Sequence, residues 1–174
     1  MKASKIAYFW LFLLFLLPLA GCTGDIGDEL EKAKMNVQQA FEKEAETPNQ
    51  ELDFISLYVP FGMTIERTDE NNFLLEKGKQ MYILFINPNE TADSKAVYES
   101  TRKGGDEWLL DETFTSDGKF GYVLVASVDE DLYEVTVGIG GIKMTTETSK
   151  RHVADYAGSM METVSSVEIK KNKE

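Results

Sequence analysis

An uninterrupted apolar run over residues 6–17 constrains the chain most strongly. As a helix, this run would span roughly 18 Å at 1.5 Å per residue, well short of the ~30 Å hydrocarbon core of a bilayer. Lys2 and Lys5 precede the run, and small residues follow it. This order of charged, apolar and small-residue regions is typical of a cleaved signal peptide. We therefore interpret residues 1–21 as a signal peptide and expect the fold to begin after them.

Leu19, Ala20, Gly21 and Cys22 come directly after the apolar run. In this position, the four residues resemble the lipobox of bacterial membrane lipoproteins. The resemblance implies cleavage between Gly21 and Cys22, a diacylglyceryl group on the Cys22 thiol, and a domain held on the bacterial cell membrane outside the cytoplasm. More than one acyl chain gives stable anchoring where a single chain is marginal. The alternative is a secreted protein or a single-pass anchor with a coincidental cysteine.

The charge balance limits the partners. The chain has 30 acidic and 18 basic side chains and a net charge of -12. Loss of residues 1–21 would remove two lysines and no acid, and so leave a net charge of -14. Binding to the phosphate backbone depends on clustered Lys and Arg, so we expect no nucleic-acid partner. An anionic bilayer would repel this domain, and the lipid on Cys22 would be its contact with the membrane.

Apolar residues recur at three- and four-residue spacing in residues 26–45 and predict an amphipathic helix, whose stripe is Ile26, Leu30, Ala33, Val37, Ala40 and Phe41. We expect this stripe to pack on the domain, although a partner could also use it. The break at Pro48 separates the helix from the rest. The predicted organisation after the signal peptide is a lipidated tether (22–28), the amphipathic helix and linker (29–50), an α+β globular domain (51–169) and a charged tail (170–174).

From residue 52 onwards, the residue pattern mainly predicts β-strands. Helices are expected at 91–102 and 147–164, and a short strand or extended tail at 165–169. Because strands and helices cluster instead of alternating singly, we expect an α+β fold: an antiparallel sheet of about six or seven strands packed with an N-terminal, a middle and a C-terminal helix. The predicted strands are 54–59, 63–67, 72–76, 80–86, 108–116, 120–128 and 132–139.

A Pro-x-Gly turn lies in residues 58–63, Tyr-Val-Pro-Phe-Gly-Met, between a predicted strand and the hairpins that follow. With the closing helix, this arrangement resembles the Mog1/PsbP-like domains over residues 52–169. The resemblance implies a strand that runs into the turn before an antiparallel sheet.

Enzyme motifs are not found in the sequence. Cys22 is committed to lipid, and His152 is the one histidine. The HExxH and Gly-x-Ser-x-Gly patterns are missing. His152 with Asp155 could form part of a Ser-His-Asp triad, but an exposed histidine on a helix face is favoured. We assign no catalytic, cofactor-binding or metal-binding residue, and expect no cofactor.

Three further clusters have two interpretations each. Residues 138–143, Gly-Ile-Gly-Gly-Ile-Lys, lack the spacing of a phosphate-binding loop and favour a bulged strand end passing close to a helix. Asp129, Asp131 and Glu134 could offer oxygen ligands to calcium, but a solvated hairpin turn is favoured. Cross-strand packing is favoured over a ligand platform for the aromatic residues near one hairpin, Trp108, Phe114, Phe120 and Tyr122.

The sequence favours a non-enzymatic, membrane-anchored lipoprotein whose domain binds a protein partner or envelope ligand. An extracytoplasmic inhibitor or chaperone-like module is the first alternative, and exposed Met160, Met161 or an exposed 26–41 stripe would indicate it. A carboxylate-based envelope hydrolase is the second, and it would require two acids converging in a cleft.

Overall fold

The structure, a computed structural model, describes residues 25–104 and 107–170. The predicted signal peptide, the predicted cleavage and lipidation residues Gly21 and Cys22, and most of the predicted charged tail lie outside the described residues. The helices are α1 (Ile26–Glu42), α2 (Ala96–Gly104) and α3 (Val153–Ser165), the last preceded by a short 3-10 helix at Lys150–His152. The strands are β1 (Gln50–Leu52), β2 (Ile55–Leu57), β3 (Thr64–Arg67), β4 (Asn72–Lys77), β5 (Gln80–Ile86), β6 (Leu110–Ser116), β7 (Lys119–Asp129), β8 (Leu132–Ile139), β9 (Ile142–Thr148) and β10 (Glu168–Ile169).

The strands form two antiparallel sheets within the described part of the chain. The larger has seven strands in the order β3-β4-β5-β9-β8-β7-β6, and the smaller has the order β1-β2-β10. Sequential strands form hairpins, except that β9 pairs with β5 across α2 and the next three strands. This architecture confirms the predicted α+β fold with an N-terminal, a middle and a C-terminal helix.

The main core lies between one face of the large sheet and the helices α1 and α3. The α1 stripe packs inward, since Ala33, Val37, Ala40 and Phe41 are buried. Helix α1 lies over β6 and β7, and α3 lies over β8 and β9. Close packing of the two helices puts the built Cβ position of Gly158 3.0 Å from the Asn36 Cβ atom. Asn36 Nδ2 also donates a hydrogen bond of 3.1 Å to the Ala154 carbonyl.

Helix α2 packs on the other face of the large sheet. Three of the four residues in the predicted aromatic cluster lie on this face, and the fourth lies on the opposite one. Tyr98 of α2 contacts Phe120 and Tyr122, with ring centroids 5.4 and 5.2 Å apart, and Trp108 packs on the same group. Phe114 points to the opposite face, where it meets Phe41 at 6.1 Å. The predicted aromatic packing is thus correct for Trp108, Phe120 and Tyr122 and wrong for Phe114, because alternation along β6 turns Phe114 towards α1.

Residues 138–148 depart from the sequence prediction. They form a β8–β9 hairpin whose turn is Gly140 and Gly141, with Ile139 paired to Ile142. Gly140 has φ of +54°, which glycine adopts without strain. The predicted bulged strand end is therefore wrong, and the register shift lies instead between Ser127 and Asp129. The predicted helix from residue 147 is also wrong at its start, since β9 continues to Thr148.

Candidate functional site

The second face of the large sheet is only partly covered. Helix α2 covers its β6–β7 side, where Tyr98 Oη donates a hydrogen bond of 2.8 Å to Asp111. On the β5 side, Met81 and Ile83 remain 60% and 54% exposed. Isolated apolar side chains are normal on a protein surface, but Ile83 also lines a concave region beside Met81. This concave region is a groove between α2 and the large sheet.

The groove between α2 and the sheet has a volume of about 520 Å³, within the range of small-molecule sites. One wall is α2, and the floor is formed by β4, β5 and β9. No carboxylate is among its lining residues, which are Asn72, Ile83, Phe85, Asn87, Ala96, Val97, Ser100, Thr101, Lys143 and Thr145.

Lys143 supplies the positive charge of the groove. It pairs with Phe85 in the β5–β9 register, and its ammonium lies 5.9 Å from the centre of the Phe85 ring. Lys143 Nζ donates a hydrogen bond of 3.3 Å to Thr101 Oγ1 on α2. Among the described residues, no carboxylate lies within salt-bridge distance of Lys143. An ammonium has three donors, so Lys143 retains hydrogen-bonding capacity for a ligand.

A buried tyrosine lies beside the inner end of the groove. The tip of the Tyr122 ring covers Gly138, which pairs with Lys143 in the neighbouring strand. The Tyr122 hydroxyl has no hydrogen-bond partner of good geometry in the described part of the chain. Burial raises the pKa of Tyr122, and the nearby Thr101 hydroxyl opposes that shift. The hydroxyl therefore stays protonated at neutral pH.

The structure does not bring the sequence-predicted catalytic pair together. His152 stacks on Tyr156, with ring centroids 5.1 Å apart, and its Nε2 atom accepts a hydrogen bond from Arg151. Asp155 instead lines a second groove between α1 and α3. His152 and Asp155 form no hydrogen bond with each other within the described ranges.

The acidic turn and the methionines also have defined places. Asp129 pairs with Leu132, so residues 130–131 form a hairpin turn as predicted. No group of three or more His, Cys, Asp or Glu side chains in residues 25–104 and 107–170 is arranged to hold a metal ion. Met160 and Met161 are buried in the main core. Exposure of these methionines or of the α1 stripe would have indicated a chaperone-like module. Both methionines are buried, and so are Ala33, Val37, Ala40 and Phe41 of the stripe.

The sequence did not identify the groove residues Ile83 and Phe85, and Lys143 was considered only as the last residue of the glycine-rich run 138–143. One signal was available in β5, because Met81 to Ile86 is continuously apolar where an antiparallel strand with one solvated face alternates. Such a run indicates that both faces of the strand meet apolar groups. The contribution of Lys143 could not be inferred, because β9 itself was not predicted.

Comparisons with known proteins give limited similarity. No protein-family model matches the chain, and no curated protein matches its sequence. Solved structures similar to it include cyanobacterial PsbP (CyanoP) from Synechocystis sp. PCC 6803, with a TM-score of 0.41 and 15% identity over 66% of this chain and 86% of that one. A crystal structure from Bacteroides thetaiotaomicron VPI-5482 has a TM-score of 0.37 and 14% identity over 70% and 47% of the two chains. A PsbP-type protein is thus among the similar structures. At these TM-scores the likeness carries no functional conclusion.

None of the helices in the described residues is both long enough and apolar enough to cross a membrane.

Proposed function

We propose that the chain is a lipid-anchored, non-enzymatic binding module that holds an envelope ligand or partner outside the cytoplasm. The partly uncovered second face of the large sheet carries this proposal. Met81 and Ile83 are exposed there beside a groove of about 520 Å³. Apolar surface next to a concave region is typical of a binding site.

The lipobox interpretation fixes how far such a domain would stand from the membrane. Helix α1 begins at Ile26, four residues after Cys22. At most about 3.6 Å per residue gives a reach of about 14 Å between the two Cα atoms. An acylated Cys22 would therefore hold the domain close to the bilayer, although the acidic surface is repelled by anionic lipid.

Position-specific crosslinking in cells tests the proposed binding face. A photo-crosslinking residue at position 83 is expected to capture one saturable species, identified by mass spectrometry after detergent extraction. The matched control is position 35, because Met35 is similarly exposed, at 59%, but lies on α1. Equal capture from both positions, or none from position 83, would contradict a binding role for this face.

A further inference from the structure

We infer that the groove binds a small amphiphilic carboxylate, whose apolar body contacts Ile83 and Phe85 and whose carboxylate contacts the ammonium of Lys143. This inference rests on the proposed function and assigns a ligand class to the same face. It depends on three features: the polarity of the lining, the position of Lys143, and the charge of the surrounding protein.

The lining combines the apolar side chains of β5 with a single charged group. Ile83 is more than half exposed, Phe85 is half-buried, and Val97 closes the α2 side. Asn72 and Asn87 add uncharged amides at the rim. An apolar body can therefore be desolvated against β5 while its polar end reaches a donor, which is how small-molecule sites combine affinity with orientation.

Lys143 is held in place before any ligand arrives. Its ammonium is positioned by Thr101 Oγ1 at 3.3 Å and by the Phe85 ring at 5.9 Å. Thr101 Oγ1 is itself fixed, because it donates a hydrogen bond of 2.8 Å to the Val97 carbonyl. A preorganised cation loses little freedom when it binds an anion, and charge-assisted hydrogen bonds are about twice as strong as neutral ones.

The charge of the protein favours a monoanion over a dianion. One cation lines the groove, whereas the chain as a whole carries a net charge of -12. The Debye length is about 8 Å at physiological ionic strength, so distant acids are screened while Lys143 acts in direct contact. A single carboxylate matches the single ammonium, and a second negative charge would find no second cation among the lining residues.

A series of three probes with one body and different head groups tests this assignment. Full-length protein in phosphatidylcholine nanodiscs is dialysed to equilibrium against phenylbutyrate, phenylbutanol or phenylbutylamine, with empty nanodiscs as the blank. We expect phenylbutyrate to bind at least about tenfold more tightly than phenylbutanol, and the amine to bind most weakly. Equal binding of acid and alcohol by the unaltered protein would overturn the role of Lys143 without requiring any variant.

Two substitutions of equal charge change locate the carboxylate. Lys143→Gln is expected to reduce phenylbutyrate affinity to the level of phenylbutanol, while phenylbutanol binding is unchanged and so reports an intact groove. Lys103→Gln is the matched control, because Lys103 is an exposed lysine of α2 that does not line the groove. Unchanged phenylbutyrate affinity in Lys143→Gln would overturn the inference.

Ile83→Ser tests the apolar half of the assignment and is expected to weaken phenylbutyrate and phenylbutanol by the same factor. If no probe binds the unaltered protein, the carboxylate assignment fails. Crosslinking from position 83 then still decides the proposed binding function, because that experiment assumes no ligand chemistry. A protein captured at position 83 with no probe binding would replace the small ligand by a protein partner.

Discussion

Replacing Gly138 by alanine is expected to destabilise the domain by steric overlap with Tyr122. A Cβ atom at position 138 would lie 2.4 Å from Tyr122 Cζ and 2.5 Å from its Cε1 and Oη atoms. Ordinary van der Waals contacts are 3.4–4 Å. The Tyr122 ring has little room to move, because it is fully buried and packs against Tyr98 and Phe120. Overpacking of this kind lowers the free energy of unfolding by about 1–3 kcal/mol. Because the ring cannot move aside, we expect the loss for Gly138→Ala to lie in the upper half of that range.

Urea unfolding of a chain that begins at residue 23 measures this cost. Trp108 is the only tryptophan in that chain and packs on the cluster that contains Tyr122, so its fluorescence reports the transition. With a denaturant dependence of about 2 kcal/mol per M, a loss of about 2 kcal/mol lowers the midpoint by about 1 M. The same measurement gives the effect of removing the Tyr122 hydroxyl.

The controls separate steric overlap from the general effect of a methyl group. Gly104→Ala adds its Cβ where no heavy atom lies within 4 Å, and its free energy of unfolding should change by no more than about 0.5 kcal/mol. Tyr122→Phe should be neutral or stabilising by itself, because the buried hydroxyl lacks a partner among the described residues. A Gly138→Ala variant within about 0.5 kcal/mol of the parent would refute the packing argument.

Three further predictions concern the core, the pH dependence and the anchor. Phe41→Ala should lower the free energy of unfolding by about 3–5 kcal/mol in urea titrations, whereas Met35→Ala on the exposed face of α1 should change it by less than about 0.5 kcal/mol. Burial, together with Tyr156, raises the pKa of Tyr82 to about 12 from 10.0. The folded state therefore keeps a proton that the unfolded state loses, so stability is complete below pH 10 and falls as pH rises towards 12. Unfolding midpoints across this range should fall less steeply in Tyr82→Phe. Cys22→Ala should release the domain from membranes or leave the precursor uncleaved, and unchanged mature mass with membrane retention would contradict lipidation.

The sequence predicted elements whose pattern directly reflects their environment. Helix α1 repeats apolar residues on one face, and the same residues are buried against the sheet. The β6–β7 and β7–β8 hairpins were also predicted, because polar turn residues separate the strands. These features depend on short-range spacing, which a single sequence records well.

Strand β9 was missed because its buried face is polar in sequence. Thr146 and Thr148 are buried beside Met144, although threonine looks like a surface residue in a hydrophobic pattern. Thr146 satisfies its hydroxyl by donating to the Met81 carbonyl and accepting from Gln80, and such partners come from a strand more than 60 residues away. Local pattern could not supply this pairing, and without β9 neither the position of Lys143 nor the groove could be inferred.

The glycine-rich run at residues 138–141 forms the β8–β9 turn and contacts both the Tyr122 ring and a residue that lines the groove. Gly138 leaves room for the Tyr122 ring, whereas a Cβ at Gly141 would lie 2.6 Å from the Asn87 carbonyl oxygen. The Gly141 carbonyl accepts a hydrogen bond of 2.9 Å from the backbone N–H of Asn87. This bond fixes the position of Asn87, which lines the groove. Glycine suits this run for the same reason that it suits a phosphate-binding loop, because both arrangements need the backbone to approach another group closely. Here the group approached is the protein's own loop, so the run shapes the groove beside Lys143 in which we propose that the ligand binds.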